Sequence, residues 1–85
     1  MRVLIPTPLR SYTSQARVEV DGETVGELLA DLDQRYPGIR FRMIDEQDRT
    51  RPQMRFFVSG VATFDLTQRL QVGEELQIVQ ALNGG

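Results

Sequence analysis

A single stretch of this chain carries a sustained helical period, and it runs from Thr24 to Tyr36. Val25, Leu28, Leu29, Leu32 and Tyr36 follow one another at steps of three, four, seven and eleven from Val25. That spacing gathers them on one face of an α-helix. Asp31, Asp33 and Gln34 fall outside the face. Thr24 and Glu27 stand at capping-box spacing, so each side chain is expected to satisfy a backbone N–H of the other's residue. Pro37-Gly38 stops the helix. One helix with one apolar stripe cannot bury it against itself, and 85 residues leave room for one core and no second domain. The remainder of the chain has to supply a sheet to receive the stripe.

The flanking segments read as that sheet. Val3-Leu4-Ile5 is short, branched and apolar, and Pro6 ends it. Thr7 to Ser14 is a polar connection punctuated by proline. From Gln15 to Val20 the chain alternates, with Ala16, Val18 and Val20 on one side, which predicts a half-buried strand. These two runs are close enough to pair as an antiparallel hairpin, and Asp21-Gly22-Glu23 turns into the helix. Ile39 to Ile44 fits either a short strand or one helical turn, and a charged loop runs from Asp45 to Pro52. Met54 to Ser59 alternates again, with Met54, Phe56 and Val58 pointing one way and Arg55, Phe57 and Ser59 the other. Ser59-Gly60 marks a turn, Val61-Ala62-Thr63 returns as a short strand, and Phe64 to Leu70 shows no period. Glu75 to Gln80 is the last strand, with Leu76 and Ile78 inward and Gln77 and Val79 outward.

Strand, strand, helix, irregular stretch, strand, short strand and last strand describe an α+β chain of the β-grasp, or ubiquitin-like, architecture. The expectation is a mixed sheet of four to five strands with one main helix packed on one face. The inward set is Val3, Ile5, Val18, Val20, Val25, Leu28, Leu29, Leu32, Phe56, Val58, Leu76 and Ile78. Residues 1–80 are expected to form this domain and 81–85 a flexible C-terminal diglycine tail.

Composition removes most chemistry from the chain itself. It has no cysteine and no histidine, so thiol nucleophiles, zinc-thiolate sites and the commonest general base are absent. The net charge of −2 argues against nucleic acid as the main partner. No apolar run approaches the length of a membrane span, and no basic-then-apolar leader opens the chain, so a cytoplasmic protein with no membrane partner is expected. Charge is uneven. Six acids and no base lie between Val18 and Gln34, and five arginines lie between Gly38 and Phe56. The acidic half is either a solvated face or a surface that steers toward a basic partner. All ten basic residues are arginine. That reflects either codon bias or a chain without a lysine amine for an activated acyl group to attack.

The last residues, Ala81-Leu82-Asn83-Gly84-Gly85, offer what the rest lacks. Two glycines make a thin strip of backbone able to enter a channel that a larger side chain would block. The alternative is an ordinary frayed end.

The chain resembles the β-grasp sulfur carriers of the ThiS/MoaD superfamily, and most of all their cysteine-biosynthesis (CysO-like) branch. The resemblance rests on Ile5 to Thr13, Gly22-Glu23-Thr24-Val25-Gly26-Glu27, Asp31-Leu32 through Tyr36-Pro37-Gly38-Ile39, Phe57-Val58-Ser59-Gly60, Gly73-Glu74-Glu75 and the final Gly84-Gly85. It implies that a ubiquitin-activating-type adenylyltransferase and sulfurtransferase, using ATP and magnesium, adenylates the Gly85 carboxylate, and that sulfur then displaces AMP to leave a thiocarboxylate. Gly84 keeps the acyl carbon accessible. The chain would be a co-substrate and no enzyme, binding no cofactor itself. ATP, magnesium and, in a cysteine synthase-like acceptor, pyridoxal phosphate belong to partners. Leu4, Phe57 and Val79 are expected to line up as a docking patch on the sheet face away from the helix. Leu82 is expected to anchor the tail, with Arg10 and Arg55 beside it. The chain departs from the family at Ser59-Gly60, where Asn-Gly is usual, and at Gln80-Ala81-Leu82-Asn83, so partner choice is expected to be written in Leu82-Asn83. Three other readings stay open: the small subunit of molybdopterin synthase beside its large catalytic subunit, a carrier for thiamine or a sulfur-containing natural product, and a protein modifier or never-activated interaction module.

Overall fold

The first and last strands of the chain meet in the middle of its sheet. The computed structural model describes residues 1–81. Its strands are β1 (Arg2–Leu4), β2 (Arg17–Glu19), β3 (Met54–Val58), β4 (Val61–Thr63) and β5 (Glu75–Gln80). Its helices are α1 (Arg10–Thr13), α2 (Val25–Arg35) and α3 (Ile39–Met43), with a 3₁₀ turn over Thr7–Leu9 ahead of α1. The five-stranded sheet has the order β2-β1-β5-β3-β4. β1 and β5 are parallel, and the other neighbours are antiparallel. This is the β-grasp sheet, with α2 laid across one face.

Alternation along the strands sends one set of side chains under α2. Every residue of the predicted inward set is buried, with Val3, Leu28, Leu29, Leu32 and Leu76 fully so. Met54 joins them, as the alternation that sets it beside Phe56 and Val58 requires, and so do Leu9, Ile39, Met43 and Ile44, which no period marks. Leu9 is in the core because the Thr7 to Ser14 connection is helical. The 3₁₀ turn and α1 fold Leu9 and Thr13 inward. Residues 39–43 resolve as helix, with Ile39 and Met43 on the buried side. β2 is shorter than predicted, and Ala16 is exposed. Ser14 adopts a left-handed conformation (φ 58°), and the Thr13 hydroxyl donates to the Gln15 carbonyl at 2.7 Å. The chain is therefore still turning when it reaches Ala16.

The start of α2 shows what the unpatterned segment after β4 does. The Thr24 hydroxyl accepts from the Glu27 N–H at 3.1 Å, as capping predicts. The Glu27 carboxylate reaches one residue further back than expected and accepts from the Glu23 N–H at 2.8 Å. The Val25 and Gly26 N–H groups, orphans of a first helical turn, donate to the carbonyls of Gln68 and Leu66 at 3.0 and 2.8 Å. The Leu70 N–H donates back to Glu23. The 64–70 segment caps the helix with main-chain atoms, so it needs no side-chain period.

Gly22 lies against that same helix turn. A Cβ on Gly22 would stand 2.9 Å from the Leu28 nitrogen and 3.0 Å from the Glu27 carbonyl carbon, and its φ is 157°. Both neighbours are helix backbone and cannot yield. Gly22→Ala is expected to cost about 1–3 kcal/mol by this overpacking. Thermal unfolding by circular dichroism checks it, with a fall of about 4–8 °C per kcal/mol for a domain this size. An unchanged midpoint would show that the β2–α2 turn relaxes freely.

Candidate functional site

On the face away from α2, the strand register fixes which side chains meet. Leu4 of β1 lies opposite Gln77 of β5, and Phe57 of β3 lies opposite the same Gln77. Val79 lies opposite Arg55, two residues further along β5 toward the tail. Val79 is thus a diagonal neighbour of both Leu4 and Phe57, within reach for side chains of this size. The sequence reading set the three in a line. The register makes them a triangle with the Gln77 amide between Leu4 and Phe57. All three are half-buried. Outward of Leu4 the sheet carries Arg17, and outward of Phe57 it carries Ala62.

β5 points toward the tail, and its ladder runs one residue beyond the strand. The Ala81 N–H donates to the Gln53 carbonyl at 2.8 Å. The predicted site residues Leu82, Asn83, Gly84 and Gly85 lie outside the described residues. Gln80, the last residue of β5, borders two grooves. One is lined by Leu4, Pro6, Pro8, Arg10, Arg17 and Val79. The other is lined by Phe41, Arg42, Arg51 and Gln53. Arg10 and Arg55, expected beside the tail, are both at this end of the sheet. Arg10 donates through Nε to the Ile5 carbonyl at 3.0 Å. Arg55 donates through Nη1 to the Pro52 and Met54 carbonyls, each at 2.7 Å, and stands 5.8 Å from the Phe64 ring centre. Arg17, Arg42 and Arg51 share this end and were missed in the sequence. Arg51 stacks 4.5 Å above the exposed Phe41 ring and donates to the Phe41 carbonyl at 2.7 Å. Arg17 is the outward residue of β2 opposite Leu4, while no periodicity signals Arg42 and Arg51, which α3 and its loop bring round by tertiary packing.

The titratable groups with displaced pKa values serve turns. The Asp31 carboxyl is held below its usual range by the Asp21 N–H and then by the Arg35 guanidinium. Asp45 is lowered by the backbone N–H groups of Arg49 and Gln47, and Asp65 by the hydroxyl and N–H of Thr67. Each is a stabilised anion that pins a loop or helix end, and none is poised to take or give a proton near pH 7.

The described residues form a β-grasp body, and the sequence closes on Gly84-Gly85. Residues 3–85 match the ThiS family model. The chain belongs to the ThiS family. A chain of the Amycolatopsis orientalis BexX/CysO complex is 31% identical, with a TM-score of 0.89 over 99% of this chain and 98% of that one. Mycobacterium tuberculosis CysO is 28% identical, with a TM-score of 0.87 over 95% of this chain and 98% of its own. SAMP1 from Haloferax volcanii is 25% identical, with a TM-score of 0.79 over 100% of this chain and 98% of its own. No curated protein sequence matches the chain. Among the described residues no helix is long and apolar enough to cross a membrane.

Proposed function

We propose that this ThiS-family chain carries sulfur on the carboxyl group of Gly85 for the biosynthesis of cysteine or a related sulfur metabolite. The observation that carries the reading is the family match running through residue 85, so that Gly84-Gly85 stands within the matched region. A carboxylate is a poor acyl donor. Attack of the Gly85 carboxylate on the α-phosphorus of ATP, in a ubiquitin-activating-type partner, releases pyrophosphate and leaves an acyl-adenylate. The outer sulfur of a partner's persulfide then attacks the acyl carbon and AMP departs, leaving an acyl disulfide. A second partner thiol cleaves its S–S bond, is itself oxidised into a disulfide, and the thiocarboxylate leaves. Beyond the Gly85 carboxylate itself, no step asks for a side-chain base or nucleophile from this chain, which has no cysteine or histidine to offer. It also has no lysine amine to intercept the activated acyl group.

The acceptor we propose is a cysteine synthase-like enzyme, because the two CysO structures carry the higher identities. That one of them is a complex with BexX supports docking of this chain on an enzyme surface through Leu4, Phe57 and Val79, with Leu82 and Asn83 read by the partner. The similarity to SAMP1, a modifier, favours one second reading, in which Gly85 is joined to an amine of another protein. Intact-mass analysis of protein purified from its own cells separates the two. The carrier reading expects a species in which sulfur replaces one oxygen. A mass found only on conjugates of other proteins would replace it with the modifier reading.

A further inference from the structure

The net charge of the chain is −2, yet the end of the sheet from which the tail departs is basic. Arg10 and Arg17 border Gln80 on one flank, Arg42 and Arg51 border it on the other, and Arg55 lies opposite Val79 on the outer face. The ion pairs among the described residues engage Arg2, Arg35, Arg40, Arg69 and the N-terminal amine, and none of these five. Asp45 is the carboxylate whose charge feels Arg51, and it is held by the backbone N–H groups of Arg49 and Gln47. The acids collect at the opposite end, where Glu19, Asp21, Glu23, Glu74 and Glu75 line one groove. Arg10, Arg51 and Arg55 each have a guanidinium N–H fixed on a backbone carbonyl, so part of the collar is ordered before any partner arrives.

We propose that these five arginines form a docking collar for the acidic rim of the channel, on the activating enzyme, that receives the tail. This inference rests on the sulfur-carrier reading and adds to it the chemistry of the partner surface. Two physical arguments choose a protein rim over the nucleotide phosphate. Five residues follow Gln80, the last of them Gly85. Threaded through a channel they span up to about 17 Å, well beyond the length of an arginine side chain, so the collar stays outside while the carboxylate reaches ATP. Guanidinium groups also suit planar, bidentate capture of carboxylates. The collar would orient the tail by its field before contact, which acts on association rather than on chemistry.

The test is ATP–pyrophosphate exchange by the purified ubiquitin-activating-type partner, with this chain as the varied substrate at low and at physiological salt. Arg17 and Arg42 are the positions to reverse, because both are exposed and neither side chain donates a hydrogen bond to a described residue. Arg17→Glu with Arg42→Glu is expected to raise KM for the carrier about tenfold or more at low salt, leave kcat unchanged, and lose much of that difference as salt rises. The double glutamine variant is expected to fall between the two. Arg69→Glu makes the same charge change at the far end of the molecule and is expected to leave KM near wild type. Circular dichroism melts confirm that each variant is folded. No exchange with wild-type chain would sink the sulfur-carrier reading and the collar with it. Exchange with wild type, but a KM for the double reversal within twofold of it, would sink the collar alone, as would an equal effect from Arg69→Glu.

Discussion

Phe56→Ala is expected to lower the urea midpoint by a large fraction, while Phe57→Ala, one residue along, barely moves it. The two rings are chemically identical and point to opposite faces of β3. Phe56 is 1% exposed, packed between its cross-strand neighbours Thr63 and Ile78 and under α2. Removing it deletes the largest buried side chain of the core, at a cost of about 3–5 kcal/mol for transfer and cavity together. A domain of this length has a net stability of roughly 4–13 kcal/mol, so the loss consumes a large part of it. Phe57 is half-buried on the outer face beside Gln77, and its truncation removes only part of a ring already in water. That change is expected to cost about 1 kcal/mol or less. Urea unfolding of both variants decides the matter. Equal midpoints would mean that the β3 register is shifted by one residue, since such a slip exchanges the two faces. In the proposed function the phenotypes cross over: folded Phe57→Ala is the variant expected to lose partner docking.

This crossing shows what the sequence made readable. Where a side chain's burial follows from its own strand or helix, the period revealed it. The alternation at Met54 to Ser59 and the stripe of α2 from Val25 to Leu32 named residues that are buried, while Tyr36 at the end of the stripe is half-buried. The antiparallel hairpin of β1 and β2 followed from the closeness of two such runs. What stayed hidden was held by something other than a period. Leu9 and Ile39 belong to helices of one turn or little more, too short to repeat. Residues 64–70 act through carbonyl oxygens, which every residue type carries alike. At the candidate site the same division holds. Leu4, Phe57 and Val79 could be put on one face from alternation alone, but Gln77 between two of them depends on cross-strand register. The arginines at the tail end come from five places in the sequence and meet only through the fold. Ser59-Gly60, a departure from the family's usual pair, still makes the two-residue hairpin turn. Ser59 takes φ 49° and Gly60 φ 84°, as a turn with two left-handed residues requires. The Ser59 hydroxyl donates to Glu74 at 2.9 Å, which helps hold a conformation that serine on its own does not favour.

Deletion of Gly85 is expected to abolish thiocarboxylate formation and leave the fold untouched. The variant still ends in a glycine carboxylate, so its intrinsic reactivity is that of the wild type. What changes is reach. One residue shortens an extended tail by up to about 3.6 Å. Nucleophilic attack needs the reacting atoms about 3–3.5 Å apart, and a misplacement of 1 Å already costs about a hundredfold. The shortened carboxylate can reach the α-phosphorus of ATP only if the docked body moves inward by the same distance. In the proposed function the β-grasp body prevents that, because the face bearing Leu4, Phe57 and Val79 would meet the partner surface first. Loss of at least about a hundredfold in pyrophosphate exchange is therefore expected, with an unchanged melting midpoint, because the core ends with β5. Gly84→Val tests the complementary property, width. It keeps the length and the terminal glycine but places a branched side chain where the channel is proposed to be narrowest, and it is expected to fail as well. Full sulfur transfer by the Gly85 deletion would mean that tail length is not read and that a carboxylate on Gly84 reacts as well as one on Gly85. Failure of the deletion alongside normal turnover by Gly84→Val would keep the carboxylate as the reacting group. The channel would then be wider than a diglycine needs, and partner choice would fall to Leu82, Asn83 and the sheet face.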